Sequence, residues 1–261
     1  MKKISLIFAL VLAFSTCTNN LVSASEQPVQ FDGMPQMDGS SMGGHVPQGY
    51  TGTRKSTNSF KDMSLANPLY PPQYTPEHIK TIKNTYSVVG KNEVFYVALD
   101  MLKDTCGDFS RRAILGNNLT GKPVRIEFKD LSSISKNYSN FDALGWKRKG
   151  HLYIYINQKH TNAPAIALSA LLAHEALHQD ELNSLSEETY AWTMEAAVWC
   201  QLLDLYPHYS IPVQALVQRE NTLKTLFKKG NYTNRYIKKT VYSNSGYRNL
   251  PETSPGFDTS L

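Results

Sequence analysis

Apolar and polar positions follow three successive regimes along the chain. From Ser25 to about Thr75 no window shows a helical or strand period, and stretches such as FDGMPQMDGSSMGGHVPQGYTG are rich in Pro, Gly, Ser, Gln and Met. Such a composition buries too little apolar surface to order a chain, so residues 25–75 read as a disordered linker. His45 and the methionines Met34, Met37 and Met42 lie within it at irregular spacing, which suits a linker better than a metal site. Order is predicted from Thr75-Pro76-Glu77, where Thr can cap a helix and Pro suits its first position. A second helix follows Asn92, with Val94, Val97, Ala98, Met101 and Leu102 on one face.

The period then changes to two. KPVRIEF sets Val124, Ile126 and Phe128 on one side, and HLYIYIN sets Leu152, Ile154 and Ile156 on one side with Tyr153, Tyr155 and Asn157 on the other. Lys149-Gly150 supplies a turn before the second run, and two or three antiparallel strands are the natural reading. Helical spacing returns after Asn162, a cap candidate for a helix through Ala165, Leu168, Leu171 and Leu172 to His178. The polar QDELN separates it from a long helix reaching about Leu205. A further helix is expected from Pro212, burying Val213, Leu216, Val217, Leu223 and Phe227 and stopping at Gly230. The fold class is therefore α+β, a small antiparallel sheet on a helical bundle. Residues 76–230 form one domain and 231–261 a C-terminal tail.

The first residues add a destination. MKKISLIFALVLAFSTCTNNLVSAS has two lysines, an apolar run from Ile4 to Phe14 and small residues at Ser23 and Ala24, the pattern of a secretory signal peptide over residues 1–24. The run is too short to span a bilayer, and Thr16 and Phe14 fit a lipoprotein box at Cys17 poorly, so cleavage near Ala24 and a secreted, periplasmic or extracellular product without a stable membrane anchor are expected. Loss of Lys2 and Lys3 takes the formal charge from +5 to +3, a nearly neutral balance that gives a nucleic-acid role no support. Cys106 and Cys200 would remain, either as inert thiols or as a disulfide. Closing that loop would stabilise the chain by roughly 4 kcal/mol.

The candidate chemistry lies in LLAHEALHQDELNSLSEETYAW. His174, Glu175 and His178 stand in the order H-E-x-x-H; on a helix, positions four apart share a face, so two imidazoles can aim at one zinc ion. Glu175 projects about 100° round from His174, beside the metal, where it can act as general base on a bound water. A catalytic zinc needs a third ligand, and the following helix offers Glu187 and Glu188. Ser184-Leu185-Ser186-Glu187 has the form of a capping box, which would occupy Glu187 structurally and leave Glu188 as the favoured ligand, with Asp180 or Glu181 as fallbacks. Such a site would hydrolyse an amide in a peptide or protein: the metal acidifies its water, and Glu175 takes the proton and passes it to the leaving amine. His208, Tyr232 and Tyr236 are downstream candidates for stabilising the oxyanion.

His174-Glu175-Ala176-Leu177-His178 with Glu188-Thr189-Tyr190-Ala191 resembles the gluzincin metallopeptidases, whose third ligand lies in an E-x-x-A or E-x-x-S element on a following helix. The compact arrangement is most similar to the small ImmA/IrrE-like members, and the resemblance runs from His151 to about Leu203. It implies a zincin-like fold, His174, His178 and Glu188 as zinc ligands, and Glu175 as base. It also implies that HLYIYIN forms the rim along which an extended substrate adds as a strand. Trp192 departs from the pattern, because many relatives place there an Asp or Asn that supports a histidine. Two rival readings remain open. A non-catalytic secreted module would use zinc only as a clamp, with Glu195 in the fourth position; and YTNRYIKKTVYSNSGYR, from Tyr232 to Arg248, is either a solvated tail or a contact with the cell wall or another polyanion.

Overall fold

The computed structural model describes residues 68–116, 121–148, 150–178 and 182–257. The signal segment, the linker up to residue 67, and Asp180 and Glu181 lie outside the described residues. The chain is α+β, with seven helices and a three-stranded sheet among the described residues.

Helix α1, Pro76–Tyr86, starts as its sequence dictates: the Thr75 hydroxyl accepts from the His78 amide, and proline occupies the first turn, where no backbone donor is needed. Asn92 caps α2, Glu93–Met101, by accepting from the Val94 amide. Residues Val94 to Leu99 are all buried, so α2 is enclosed on every side rather than on one face. Helix α3, Asp108–Leu115, has no capping side chain and was not foreseen. It ends at Gly116, whose φ of +70° is left-handed and where a Cβ would meet the Lys122 carbonyl.

Strands β1 (Arg125–Lys129), β2 (Ala143–Arg148) and β3 (His151–Asn157) pair in the order β1-β3-β2. The β2–β3 hairpin is antiparallel, with Arg148 opposite His151 and Gly150 at φ +74° in the turn. The expected all-antiparallel sheet is corrected, because β1 runs parallel to β3, with Ile126 opposite Ile154. A period-two pattern states which side chains share a face and nothing about strand direction. The order also removes β3 as a substrate rim, since it is hydrogen-bonded on both sides and the outer strands are β1 and β2. Ile126, Ile154 and Ile156 face the main core, while Leu131, Leu144 and Tyr155 form a smaller cluster.

Helix α4, Ala165–Glu175, is buried along its whole length and passes through the main core. Its N-cap is Pro164, not the expected Asn162, and the Ala165 amide donates to the Leu69 carbonyl. Helix α5, Leu185–Leu205, lies against α4 and separates two cores: Trp199 packs into the main one, Trp192 into a second with Leu223, Phe227, Ile237, Val241 and Tyr247. Helix α6 runs Ala215–Lys229 and ends at Gly230 as expected, but Pro212 precedes it and Val213 is 40% exposed rather than buried. The residues after 230 are not a solvated tail throughout. Helix α7, Arg235–Ser243, buries Ile237 and Val241, and the indole N–H of Trp192 donates to the Tyr247 hydroxyl. Cys106 and Cys200 are free thiols, so the disulfide that the sequence permitted is not formed. No described helix is long and apolar enough to cross a membrane.

Candidate metal centre

Helix α4 stops one turn earlier than its sequence suggested. Its last residue is Glu175, and the chain then tightens into i→i+3 bonds, the Leu177 amide to the His174 carbonyl and the His178 amide to the Glu175 carbonyl. His178 therefore sits on a turn rather than on the helix proper, yet the turn returns it beside His174, with ring centroids 5.1 Å apart. The turn is pinned by Leu177, which is buried in a cluster with Ala191 of α5.

From the other side, α5 presents three buried carboxylates, Glu187, Glu188 and Glu195. Glu188 and Glu195 are seven residues apart, two turns along one face. Glu188 reaches both histidines through their Nε2 atoms, at 3.8 Å from His174 and 3.6 Å from His178. The group His174, His178 and Glu188 could hold a metal ion, its ligand atoms lying within 4.8 Å of one another. A small divalent ion about 2.1 Å from each of its tetrahedral ligands spaces them about 3.4 Å apart, close to the two carboxylate separations. Glu188 Oε2 is buried without a hydrogen-bond partner, a costly state for a carboxylate that a cation would relieve. The Glu188 amide donates to the Ser184 carbonyl, and Asn183 Nδ2 donates to Oε1.

The other nitrogen of each histidine is held by a second carboxylate. His174 Nδ1 lies 2.9 Å from Glu195 Oε2, and His178 Nδ1 lies 2.8 Å from Glu187 Oε1. A carboxylate on Nδ1 selects the tautomer whose Nε2 lone pair points at a metal, and such partners tune metal affinity. Glu187 thus departs from the expected capping box. Its amide does donate to the Ser184 hydroxyl, but its side chain supports His178 and accepts from the Ser254 hydroxyl, while the Ser184 amide donates to Asn183. Glu188, not Glu187, is the carboxylate grouped with the Nε2 atoms of both histidines. Glu195 is engaged by His174 through Nδ1.

Behind Glu195 lies a buried ionic network. The Arg219 guanidinium of α6 forks onto both Glu195 oxygens, lies 3.0 Å from Glu220 and reaches Asp142 at 3.3 Å. Asp142 in turn contacts His160 at 2.7 Å and Lys159 at 2.9 Å. Burial alone would raise every one of these carboxylates. For Asp142 the His160 hydrogen bond and the Arg219 charge outweigh it and hold the group well below the usual carboxylate range. Glu195 is also held low, against burial, by Arg219 and His174. Glu220 goes the other way, since burial and the adjacent Glu195 charge push it up.

Glu175 stands on the last turn of α4, between the two histidines in sequence. Its Oε2 is buried and unbonded, and burial pushes its pKa up against the opposing pull of His174 and His178. Of the oxyanion candidates, the His208 ring lies tilted against Tyr209, Tyr236 lies under Lys229 and Arg235, and Tyr232 is 59% exposed against Phe227. No described contact brings any of them to the cluster. Sequence spacing missed Arg219, Asp142 and Ser254, which arrive from α6, the start of β2 and the C-terminal segment. Comparison of the chain with protein-family models, curated proteins and solved structures finds no match in any of the three.

Proposed function

We propose that the chain is an exported zinc-dependent peptidase of gluzincin type, in which Glu175 moves the proton. The observation that carries this reading is the convergence of His174, His178 and Glu188, each histidine backed by its own carboxylate, with Glu175 on the adjoining turn. Two imidazoles and one carboxylate make the donor set of catalytic zinc sites that leave a fourth position to water. Zinc held there would lower the pKa of its water to about 7 and polarise a substrate carbonyl. Glu175 supplies the rest: burial raises its basicity, and it would accept a proton from the water and return it to a leaving amine. Export rests on the signal-like first 24 residues.

A structural clamp would use Glu195 as the fourth ligand, and the engagement of that residue by His174 and Arg219 favours the enzyme instead. An extended peptide would pair with an outer strand, and β2, which packs beside α4, is the better placed rim. The test combines metal analysis with a broad peptide library. Glu175→Gln should keep metal and fold but lower hydrolysis by about 10²-fold or more. Equal cleavage at equal metal content would remove Glu175 from the mechanism. A folded wild type that stays metal-free after zinc supplementation would end the peptidase reading altogether.

A further inference from the structure

The net positive charge of the chain has one address. Between Asn221 and Leu250 there are seven Lys and Arg and no Asp or Glu, so the remaining 20 basic residues are outnumbered by the 22 acidic ones. The fold gathers these charges. On α7, Ile237 and Val241 turn inward, and Arg235, Lys238, Lys239 and Tyr242, spaced i, i+3, i+4 and i+7, share the outward face. Lys229, at the end of α6, lies 4.8 Å from the Tyr236 ring, and Arg235 lies 5.7 Å from the same ring, so the end of α6 and the start of α7 form one cationic surface. Lys238 continues it over Tyr242 at 5.0 Å. Lys228, Lys229, Arg235, Lys238, Lys239 and Arg248 are exposed, and none forms an ion pair among the described residues. At its far end the row meets Glu252, which accepts from the Tyr242 hydroxyl at 3.4 Å.

We propose that this face, from Lys229 along α7 to Tyr242, binds a linear polyanion whose charges are phosphates. The surface selects among anionic partners. A globular protein is disfavoured, because interface centres are depleted in lysine and rich in apolar side chains, and here the exposed side chains are lysines around two tyrosines. A bilayer is disfavoured because the apolar residues of α7 are committed to the core beneath Trp192, leaving no aliphatic side chain to insert. Base stacking by single-stranded nucleic acid is disfavoured because the rings of Tyr236 and Tyr242 already carry cations. What remains is attraction between a row of fixed cations and a row of phosphates, driven by counterion release. This surface is independent of the metal cluster.

The experiment measures binding of the full chain to fluorescently labelled long-chain inorganic polyphosphate by anisotropy, over a salt series. Saturable binding is expected at low salt, with log K falling linearly against log salt. Lys238→Glu with Lys239→Glu should weaken it at least tenfold, and Lys238→Gln with Lys239→Gln less. The same reversal on α1, Lys80→Glu with Lys83→Glu, should have little effect, and near-UV circular dichroism will show whether each variant keeps its packing. Equal loss from the α1 and α7 reversals would overturn the site, as would no binding at low salt. Tighter binding to a single-stranded oligonucleotide, or to phosphatidylglycerol vesicles at matched phosphate, would reassign the face to nucleic acid or membrane.

Discussion

His174 and His178 each give one nitrogen to a carboxylate of α5, yet the two supports are made of different material. Behind His174 stands Glu195, and behind Glu195 an arginine, a second carboxylate on α6 and the Asp142 pair at the foot of β2. Behind His178 stands Glu187, and behind Glu187 the neutral hydroxyl of Ser254, which also meets Ser184 at the start of α5. The first support is ionic and enclosed between α5, α6 and the sheet. The second is a hydroxyl contact with a C-terminal segment that lies against the first turn of α5, the Leu185 and Ser186 amides donating to the Pro251 and Glu252 carbonyls. One arm is held by charge that cannot be removed piecemeal; the other includes hydroxyl and backbone hydrogen bonds that can be weakened one at a time.

The largest effect should follow from breaking the ionic arm at its centre. Arg219→Met would leave Glu195 and Asp142 buried without their shared cation, and removing one partner of a buried ion pair costs about 3–5 kcal/mol. That is a large share of the stability of an ordinary domain. Urea denaturation of the metal-free protein checks it, and a loss below about 1 kcal/mol would mean that the arm does not hold the fold.

A smaller pair of effects separates metal affinity from stability. Glu195→Gln and Glu187→Gln each weaken the acceptor on a histidine Nδ1, and each should reduce metal affinity about 10- to 100-fold. Glu195→Gln should lower the stability of the metal-free chain more than Glu187→Gln does, because it also takes a charge from Arg219. Competition with a chelator reads the first quantity and urea denaturation the second. If both variants lost stability equally, the contrast between the arms would be wrong.

Much of the cluster was legible because it is local. His174, Glu175 and His178 are one turn of chain, Glu188 opens the next helix, and Thr75 and Asn92 announce helix starts that the structure keeps. What joins distant segments was not legible. Glu195 was visible as a residue on the Glu188 face, but its contacts with His174 and with Arg219 of α6 join segments that the local sequence does not connect. Glu187 shows the same limit: the S-x-x-E spelling fits a capping box, and a histidine offering Nδ1 displaces it. Helix α7 buries just two side chains in its span, too few for an apolar stripe, and its place is set by Trp192 and Tyr247. The parallel pairing of β1 with β3 follows from strand order, which alternation does not encode.

The smallest effect should come from the hydroxyl arm. Ser254→Ala removes a donor from Glu187 Oε2 and a partner from the Ser184 hydroxyl, but leaves His178 Nδ1 on Oε1 and the Pro251 and Glu252 carbonyls on the α5 amides. A hydrogen bond to a charged group contributes more than a neutral one, yet neighbouring bonds keep the segment in register, so the expected loss is about 1 kcal/mol. Metal affinity should fall less than about tenfold, below the effect of Glu187→Gln, because Ser254 acts on the ligand through an intermediate carboxylate. Combining Ser254→Ala with Glu187→Gln then gives a direct reading of the chain of contacts. If Ser254 works only through the Glu187 charge, the double variant should bind metal as Glu187→Gln alone does, and fully additive losses would show that the C-terminal segment supports His178 by a route other than Glu187.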